Sequence, residues 1–229
     1  MSGITEAKRR AAREAVDLVE SGMVLGLGTG STAALAVEEL ARRLGAGRLR
    51  DIVGIPTSSA THQQAVLLGV PLGTLEQHPV VDLTIDGADE VDPSGNLIKG
   101  LGGALLREKI VATVSRRLVI VVDEGKLVPR LGTKAPLPVE VVVFAAGTHV
   151  PAIAALGAVV TMRLGADGAP FRTDEGHHVL DCRFPQGIAD PSALQEALRS
   201  RPGVVETGLF LGMRPQVIVG RPGDAAEDR

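Results

Sequence analysis

A lysine, a glycine-rich turn and a glutamate follow one another in Lys99-Gly100-Leu101-Gly102-Gly103-Ala104-Leu105-Leu106-Arg107-Glu108-Lys109. A lysine beside exposed glycine N–H groups can stabilise an oxyanion, and a glutamate on the helix that follows can carry a proton. Because Arg107 and Lys109 flank Glu108, the alternative is an ordinary solvated glutamate on an exposed helix face. Acid/base chemistry at Glu108 and a solvated Glu108 both stay open on this stretch alone.

A second glycine-rich segment, Gly26-Leu27-Gly28-Thr29-Gly30-Ser31-Thr32, follows an apolar run and precedes an Ala-rich helical pattern. Glycines allow a tight turn with exposed N–H groups, and a helix N-terminus attracts anions. The segment therefore favours phosphate or sugar binding; the alternative is that Ser31 or Thr32 only caps the helix. It matches a dinucleotide-binding fingerprint weakly, because Ser31 or Ala33 occupies the last glycine position and the next strand does not end in an acidic residue.

A third polar segment, Asp86-Gly87-Ala88-Asp89-Glu90-Val91-Asp92, closes another apolar run. Four carboxylates in seven residues are compatible with a metal site, with sugar contact or proton transfer, or with a solvated loop. Asp123-Glu124-Gly125-Lys126 follows a further apolar run, where Lys126 is either a phosphate ligand or a surface lysine.

The periodicity predicts strands that alternate with helices in the first 130 residues. Helices are predicted over 5–21, 33–44, 58–69, 104–117, 148–157 and 191–200, and strands over 23–27, 51–55, 80–85, 118–122, 139–143, 158–163, 178–184 and 217–219. This order predicts an α/β fold with a Rossmann-like, mostly parallel sheet and a second, smaller α+β domain. We expect a catalytic domain over 1–130, to which a C-terminal strand over 206–221 returns, and a smaller domain over 131–205. The polar segments follow predicted strands, and such sheets bind ligands at the carboxyl ends of their strands.

Composition narrows the class of protein. The formal net charge is −3, and there is no Trp, no Tyr and only four Phe, so neither a polyanion-binding surface nor base-stacking platforms are expected. We therefore predict no nucleic-acid partner. We also predict no membrane partner, because no apolar stretch of the sequence is long enough to span a bilayer. Cys182 is the only cysteine, so no intrachain disulfide is possible, which favours a reducing compartment and a cytoplasmic location. Cys182 itself is expected to be a small buried hydrophobe and not a nucleophile. The five histidines show no metal-binding spacing.

Taken together, these segments resemble those of ribose-5-phosphate isomerases of type A. The matching segments, in the same order and spacing, are Gly26–Thr32, Asp86–Glu90, Lys99–Ala104, Arg107–Lys109 and Leu137–Val141. The resemblance implies interconversion of ribose 5-phosphate and ribulose 5-phosphate by a homodimer or homotetramer, with a small sugar phosphate as the partner and with no metal or organic cofactor.

By the same resemblance, Glu108 is the proton acceptor, and Asp86, Asp89 and Lys99 are catalytic. The substrate-binding residues implied are Thr29, Gly30, Ser31, Thr32, Asp86, Gly87, Ala88, Asp89, Lys99, Gly100, Leu101, Gly102, Lys126 and Lys8. Leu101 departs from the family pattern, which often has another glycine there. A sugar-phosphate-sensing regulatory domain and a relative of coenzyme A transferases are the two alternative classes, and turnover of ribose 5-phosphate separates all three.

Overall fold

A computed structural model of the chain describes residues 3–221, and their side chains from residue 6 onward. The helices are α1 Gly3–Val16, α2 Ser31–Gly45, α3 Ser59–Leu67, α4 Leu105–Thr113, α5 His149–Ala154 and α6 Pro191–Arg199. The strands are β1 Val24–Leu27, β2 Val53–Pro56, β3 Leu83–Asp86, β4 Glu90–Val91, β5 Leu97–Ile98, β6 Leu118–Asp123, β7 Leu137–Val141, β8 Val159–Met162, β9 His178–Arg183, β10 Val204–Thr207, β11 Leu209–Phe210 and β12 Gln216–Gly220.

The described residues form two compact units. The first contains residues 3–87, 110–126 and 214–221, and the second contains residues 88–109 and 127–213. The sequence predicted that residues 88–109 belong to the first domain. They group with the second unit because β4 pairs with β5 and β5 pairs with β11.

The first unit is built on a five-stranded sheet in the order β12-β6-β3-β1-β2, in which every neighbouring pair is parallel. Strands of such a sheet are apolar on both faces, and Leu25, Leu27, Leu83 and Ile85 are all buried in its core. Small alanines of α1 and α2 join the same core. The predicted α/β fold class with a mostly parallel sheet is confirmed.

The strand order of this sheet reverses at β1. The chain runs from β1 through α2 to β2 on one side, and then returns to place β3 on the other side of β1. The carboxyl ends of β1 and β3 therefore form the topological switch point, where open α/β sheets bind ligands. Gly28 and Gly87 directly follow these two ends.

The second unit contains two antiparallel sheets. One has the order β10-β7-β9-β8 and the other the order β11-β5-β4. Val139 and Leu180, which are paired across β7 and β9, lie in an apolar core with Ile153 of α5 and Leu198 of α6. This unit has the α+β architecture that the sequence predicted for the smaller domain.

The C-terminal segment differs from the single strand predicted over 206–221. Leu209–Phe210 forms β11 in the second unit, whereas Gln216–Gly220 forms β12 beside β6. The chain turns between them, where Gly212 and Arg214 have φ angles of 68° and 49°. No helix among residues 3–221 is both long and apolar enough to cross a bilayer.

Candidate active site

The turn after β1 presents a helix N-terminus at the switch point. Gly28 donates its N–H to the Ile85 carbonyl at 3.0 Å, and α2 begins at Ser31 with Gly30 as the N-cap residue. Gly30 has a φ of 109°, a left-handed value that favours glycine. Since Gly30 occupies the N-cap position, neither Ser31 nor Thr32 is the N-cap residue of α2, and no side chain caps this helix.

Asp86, at the end of β3, holds this turn. Its side chain is buried, and its Oδ1 accepts the N–H of Thr29 at 3.1 Å and that of Gly87 at 2.7 Å. A Cβ on Gly28 would lie 2.5 Å from the Asp86 Cα and would overlap its carboxylate. A glycine at position 28 is therefore required for this close approach.

A chain of hydroxyl groups also braces the turn, and it was not predicted from the sequence. The Thr29 hydroxyl donates to Ser58 Oγ at 2.8 Å, Ser58 donates to Thr61 Oγ1 at 3.0 Å, and Thr61 donates to the Gly28 carbonyl at 2.9 Å. The path returns to the turn from which it started. A signal was present, because Thr57-Ser58-Ser59-Ala60-Thr61 follows the carboxyl end of β2 as the other polar segments follow theirs.

Two predicted phosphate ligands also belong to the first unit. Lys8 Nζ lies 3.3 Å from Ser31 Oγ and 3.5 Å from Asp123 Oδ2. Asp123 Oδ1 accepts the N–H of Gly125 at 3.1 Å, within the turn in which Glu124–Lys126 forms a 3-10 helix. Lys8 thus lies beside the turn after β1, which it contacts at Ser31. Half-buried Lys126 lies three residues after Asp123.

In the second unit, Glu108 is paired with Lys99. Lys99 Nζ lies 3.2 Å from Glu108 Oε1, and the two residues are only 3% and 4% exposed. The flanking cations are directed to other partners: Arg107 Nε lies 2.6 Å from Glu175 Oε1, and Lys109 Nζ lies 2.9 Å from Glu206 Oε1. The alternative of a solvated Glu108 is therefore excluded.

Phe210 of β11 lies beside this pair. Its ring centroid is 5.6 Å from Lys99 Nζ and 4.8 Å from Lys109 Nζ. Two ammonium groups thus lie within cation–π distance of one buried ring. Burial is also the main cause that lowers the pKa of Lys109, opposed by the carboxylate of Glu206.

The glycine turn after Lys99 is held from several sides. Lys99 donates its N–H to the Gly208 carbonyl at 2.9 Å, and Leu101 donates its N–H to Asp89 Oδ2 at 3.0 Å. Gly100 and Gly103 have φ angles of 106° and 82°. The tip of the turn, Leu101 and Gly102, is exposed.

The four carboxylates of the acidic run that begins at the end of β3 have different hydrogen-bond partners. Asp86 braces the first turn and Asp89 the second. Buried Glu90 accepts backbone N–H groups of Gly132, Lys134 and Ala135. Asp92 Oδ1 accepts the N–H groups of Ser94 and Asn96, each at 2.9 Å. Within residues 3–221, no group of three or more His, Cys, Asp or Glu side chains is arranged to hold a metal ion.

Cys182 is buried in the core of the second unit. Burial raises the pKa of its thiol to about 12. A thiol with this pKa is almost entirely protonated at neutral pH and is therefore a poor nucleophile.

Comparisons with known proteins identify the family. The family model for ribose 5-phosphate isomerase A (phosphoriboisomerase A) matches residues 53–224. The chain is 57% identical over 217 residues to ribose-5-phosphate isomerase A of Gloeobacter violaceus, covering 94% of this chain and 93% of the relative. It is 53% identical over 220 residues to the enzyme of the same name from Roseiflexus castenholzii, covering 96% and 94%.

Two solved structures of ribose 5-phosphate isomerases are similar to this chain over nearly its whole length. Ribose 5-phosphate isomerase A of Methanocaldococcus jannaschii superposes with a TM-score of 0.88 at 41% identity, covering 94% of each chain. A D-ribose-5-phosphate isomerase in complex with phospho-erythronic acid superposes with a TM-score of 0.93 at 40% identity, covering 96% of each chain. The chain belongs to the ribose 5-phosphate isomerase A family. It is an aldose–ketose isomerase that interconverts D-ribose 5-phosphate and D-ribulose 5-phosphate, a reaction of the pentose phosphate pathway.

Proposed function

We propose that Glu108 is the group that moves the proton in this isomerisation. The observation that supports this role is the buried ion pair between Glu108 and Lys99, at 3.2 Å. A carboxylate removes the C2 proton of the open-chain aldose, which leaves an enediolate, and returns that proton to C1. The hydroxyl proton on O2 passes to O1, so that the carbonyl moves from C1 to C2. One group serves both steps because the two carbons are neighbours, so no second base is required.

Lys99 and the N–H groups of Gly100 and Gly102 stabilise the negative charge that develops on the substrate oxygens, while the Leu101 N–H holds Asp89. A buried ammonium is effective in this role because little water screens it. The pairing of Lys99 with Glu108 brings a donor and a base within 3.2 Å of each other. When the two reacting carbons of the substrate lie beside this pair, the substrate oxygen faces Lys99 and the C2 proton faces Glu108.

Thr29, Gly30, Ser31 and Thr32 bind the 5-phosphate, with Lys8 and Lys126 as further cationic ligands. The glycine N-cap and the contact of Lys8 with Ser31 support this assignment. The Thr29 hydroxyl donates to Ser58 and the Thr29 N–H donates to Asp86. We therefore assign the phosphate contacts to the backbone N–H groups that follow Thr29 in the turn and to the hydroxyls of Ser31 and Thr32.

Asp86 assists opening of the closed sugar ring, and Asp89 accepts bonds from sugar hydroxyls. Gly87 and Ala88 are assigned as further substrate-binding residues. The roles of both aspartates are supported by their positions at the two glycine turns. A homodimer or homotetramer and a cytoplasmic location stay predictions. Sedimentation analysis of the purified protein measures the oligomeric state.

The test of this proposal is Glu108→Gln, which keeps the shape of the side chain and removes its basic oxygen. We expect kcat to fall by at least about 10²–10⁴-fold, with exchange of the substrate C2 proton in heavy water lost in parallel. Arg107→Gln, on the preceding residue of α4, is the matched control and is expected to keep both. Near-normal exchange in Glu108→Gln would show that another residue is the base.

A further inference from the structure

A guanidinium group lies against the carbonyl side of the glycine turn. Arg163 follows β8 directly, and its Nη1 lies 2.9 Å from the Gly100 carbonyl oxygen and 3.0 Å from that of Leu101. Both contacts join residues separated by more than 60 positions in the sequence. No motif identified in the sequence includes Arg163.

The rest of the guanidinium is fixed as well. Its Nε lies 3.0 Å from Asp181 Oδ2 and its Nη2 lies 2.5 Å from Asp181 Oδ1, which is a bidentate pair. Its Cζ lies 5.7 Å from the centroid of the Phe171 ring. The side chain of Arg163 is 11% exposed. An arginine held by a paired carboxylate, an aromatic ring and two carbonyls has little freedom to take another rotamer.

The direction of the two carbonyls determines the direction of the N–H groups in the same peptide units. In a trans peptide the C=O and N–H bonds point to opposite sides, and no cis peptide occurs among the described residues. The N–H groups of Leu101 and Gly102 are therefore turned away from Arg163. The Leu101 N–H indeed donates to Asp89 on that other side, at 3.0 Å. A cation bonded to a carbonyl also polarises the peptide and strengthens its N–H as a donor.

We propose that Arg163 is a positioning residue for the isomerisation: it holds the two peptide units from Gly100 to Gly102 so that the Gly102 N–H faces the substrate oxygens and the Leu101 N–H holds Asp89. This inference rests on the proposed role of that turn as an oxyanion stabiliser. Arg163 acts through the backbone and does not touch the substrate. Its contribution is therefore made to the transition state, where the oxygens at C1 and C2 carry the most charge, more than to binding of the open-chain sugar phosphate, in which these two oxygens are uncharged.

The experiment measures kcat and KM for ribose 5-phosphate and the inhibition constant of phospho-erythronic acid. The carboxylate of this four-carbon acid presents two charged oxygens, as the enediolate does. We expect Arg163→Met to lower kcat by about 10- to 100-fold, the size of loss that a misplaced catalytic group produces. KM should stay within about threefold, and the inhibition constant should rise by a factor similar to the loss in kcat. The kcat of Arg163→Lys should lie between those of the parent and of Arg163→Met, because an ammonium group keeps the charge but lacks the planar fork of the guanidinium.

Arg163→Met leaves Asp181 without its guanidinium, so the double variant Arg163→Met/Asp181→Asn serves where the single variant folds poorly. The same loss of kcat is expected in it. Arg172→Met is the control, since the Arg172 guanidinium bonds the Gly176 carbonyl at 3.1 Å on an exposed segment. A folded Arg163 variant with kcat within about twofold of the parent, or with a change in KM alone, overturns the inference. An active Glu108→Gln enzyme would instead overturn the proposed base, whatever the Arg163 variants do.

Discussion

Removing the charges of the buried Lys99–Glu108 pair, one at a time and then together, separates what the pair does for stability from what it does for catalysis. The variants are Lys99→Met, Glu108→Gln and the double variant that carries both changes. Each single change leaves a buried charge without its counter-ion. The double variant removes both charges and keeps similar side-chain volumes.

The structure sets the expected magnitude. Two unit charges 3.2 Å apart attract each other by about 5 kcal/mol at an effective dielectric constant of about 20. Breaking a buried pair by removing one partner typically costs about 3–5 kcal/mol, whereas replacing both by neutral groups is often nearly neutral. We expect a loss of about 3 kcal/mol of unfolding free energy in each single variant and about 1 kcal/mol in the double variant. The coupling energy is then about 5 kcal/mol, which agrees with the direct attraction.

The assay is urea unfolding followed by far-UV circular dichroism, because a chain with no Trp and no Tyr gives little intrinsic fluorescence. The matched control is the ion pair between Arg107 and Glu175 at the neighbouring helix position. These side chains are 36% and 43% exposed, so a cycle of Arg107→Met and Glu175→Gln should give a coupling energy below about 1 kcal/mol. Additive losses at Lys99 and Glu108 would refute the strong coupling expected of a desolvated pair. The double variant should stay as inactive as Glu108→Gln although its stability is restored.

Two further predictions concern the first unit. A hydrogen bond from Arg42, assisted by Arg43, lowers the pKa of Glu39 from 4.5 to about 2. A lowered pKa stabilises the fold above pH 4.5, and up to about 3 kcal/mol is lost as the pH falls from there through about 2. Urea unfolding at about pH 6 and about pH 3 should therefore show a larger difference for the parent than for Glu39→Gln; equal differences would contradict the assignment. Gly28→Ala should cost about 1–3 kcal/mol, because its Cβ would overlap the Asp86 carboxylate, and should lower kcat/KM, while Gly45→Ala, whose Cβ meets nothing within 4 Å, should be neutral or stabilising in the same measurements.

The parallel sheet could be predicted because most of its strands are apolar runs that end at glycines or acidic residues; β2, which ends at Pro56 before Thr57, is the exception. Predicted bounds for β1 and β6 differ from the observed ones by a residue. The short strands β4, β5 and β11 were missed, since a two-residue strand contains no period that a sequence pattern could reveal. The predicted strand over 217–219 is observed as β12, which pairs with β6 in the first unit. Its extension back to residue 206 was wrong, because an apolar run on each side of Gly212 resembles one strand unless the turn between them is recognised.

The site was predictable where its residues are near in sequence. Lys99 and Glu108 are joined by one turn and the start of one helix, so the sequence indicated both as candidates around one glycine turn, whereas their ion pair is seen only in the structure. Arg163 and Phe210 reach Lys99 or its turn through pairing between distant strands. Neither residue has a neighbouring motif, and their relation to the turn depends on the register of β8 with β9 and of β5 with β11. Only the folded chain contains that information.

In the acidic run Asp86–Asp92, burial and hydrogen bonding narrow the set of carboxylates that could transfer a proton. Glu90 is the most buried carboxylate of the run, yet three backbone N–H groups surround it. Such donors replace the water that an ionised carboxylate loses on burial, so Glu90 holds the segment 132–135 and is not a candidate for proton transfer. Asp92 closes a local turn in the same way. Asp86 also accepts two backbone N–H groups, so hydrogen bonding alone does not separate it from Glu90 and Asp92. What distinguishes Asp86 and Asp89 is that each contacts a glycine turn, and they are therefore the next candidates for the base if Glu108→Gln retains turnover.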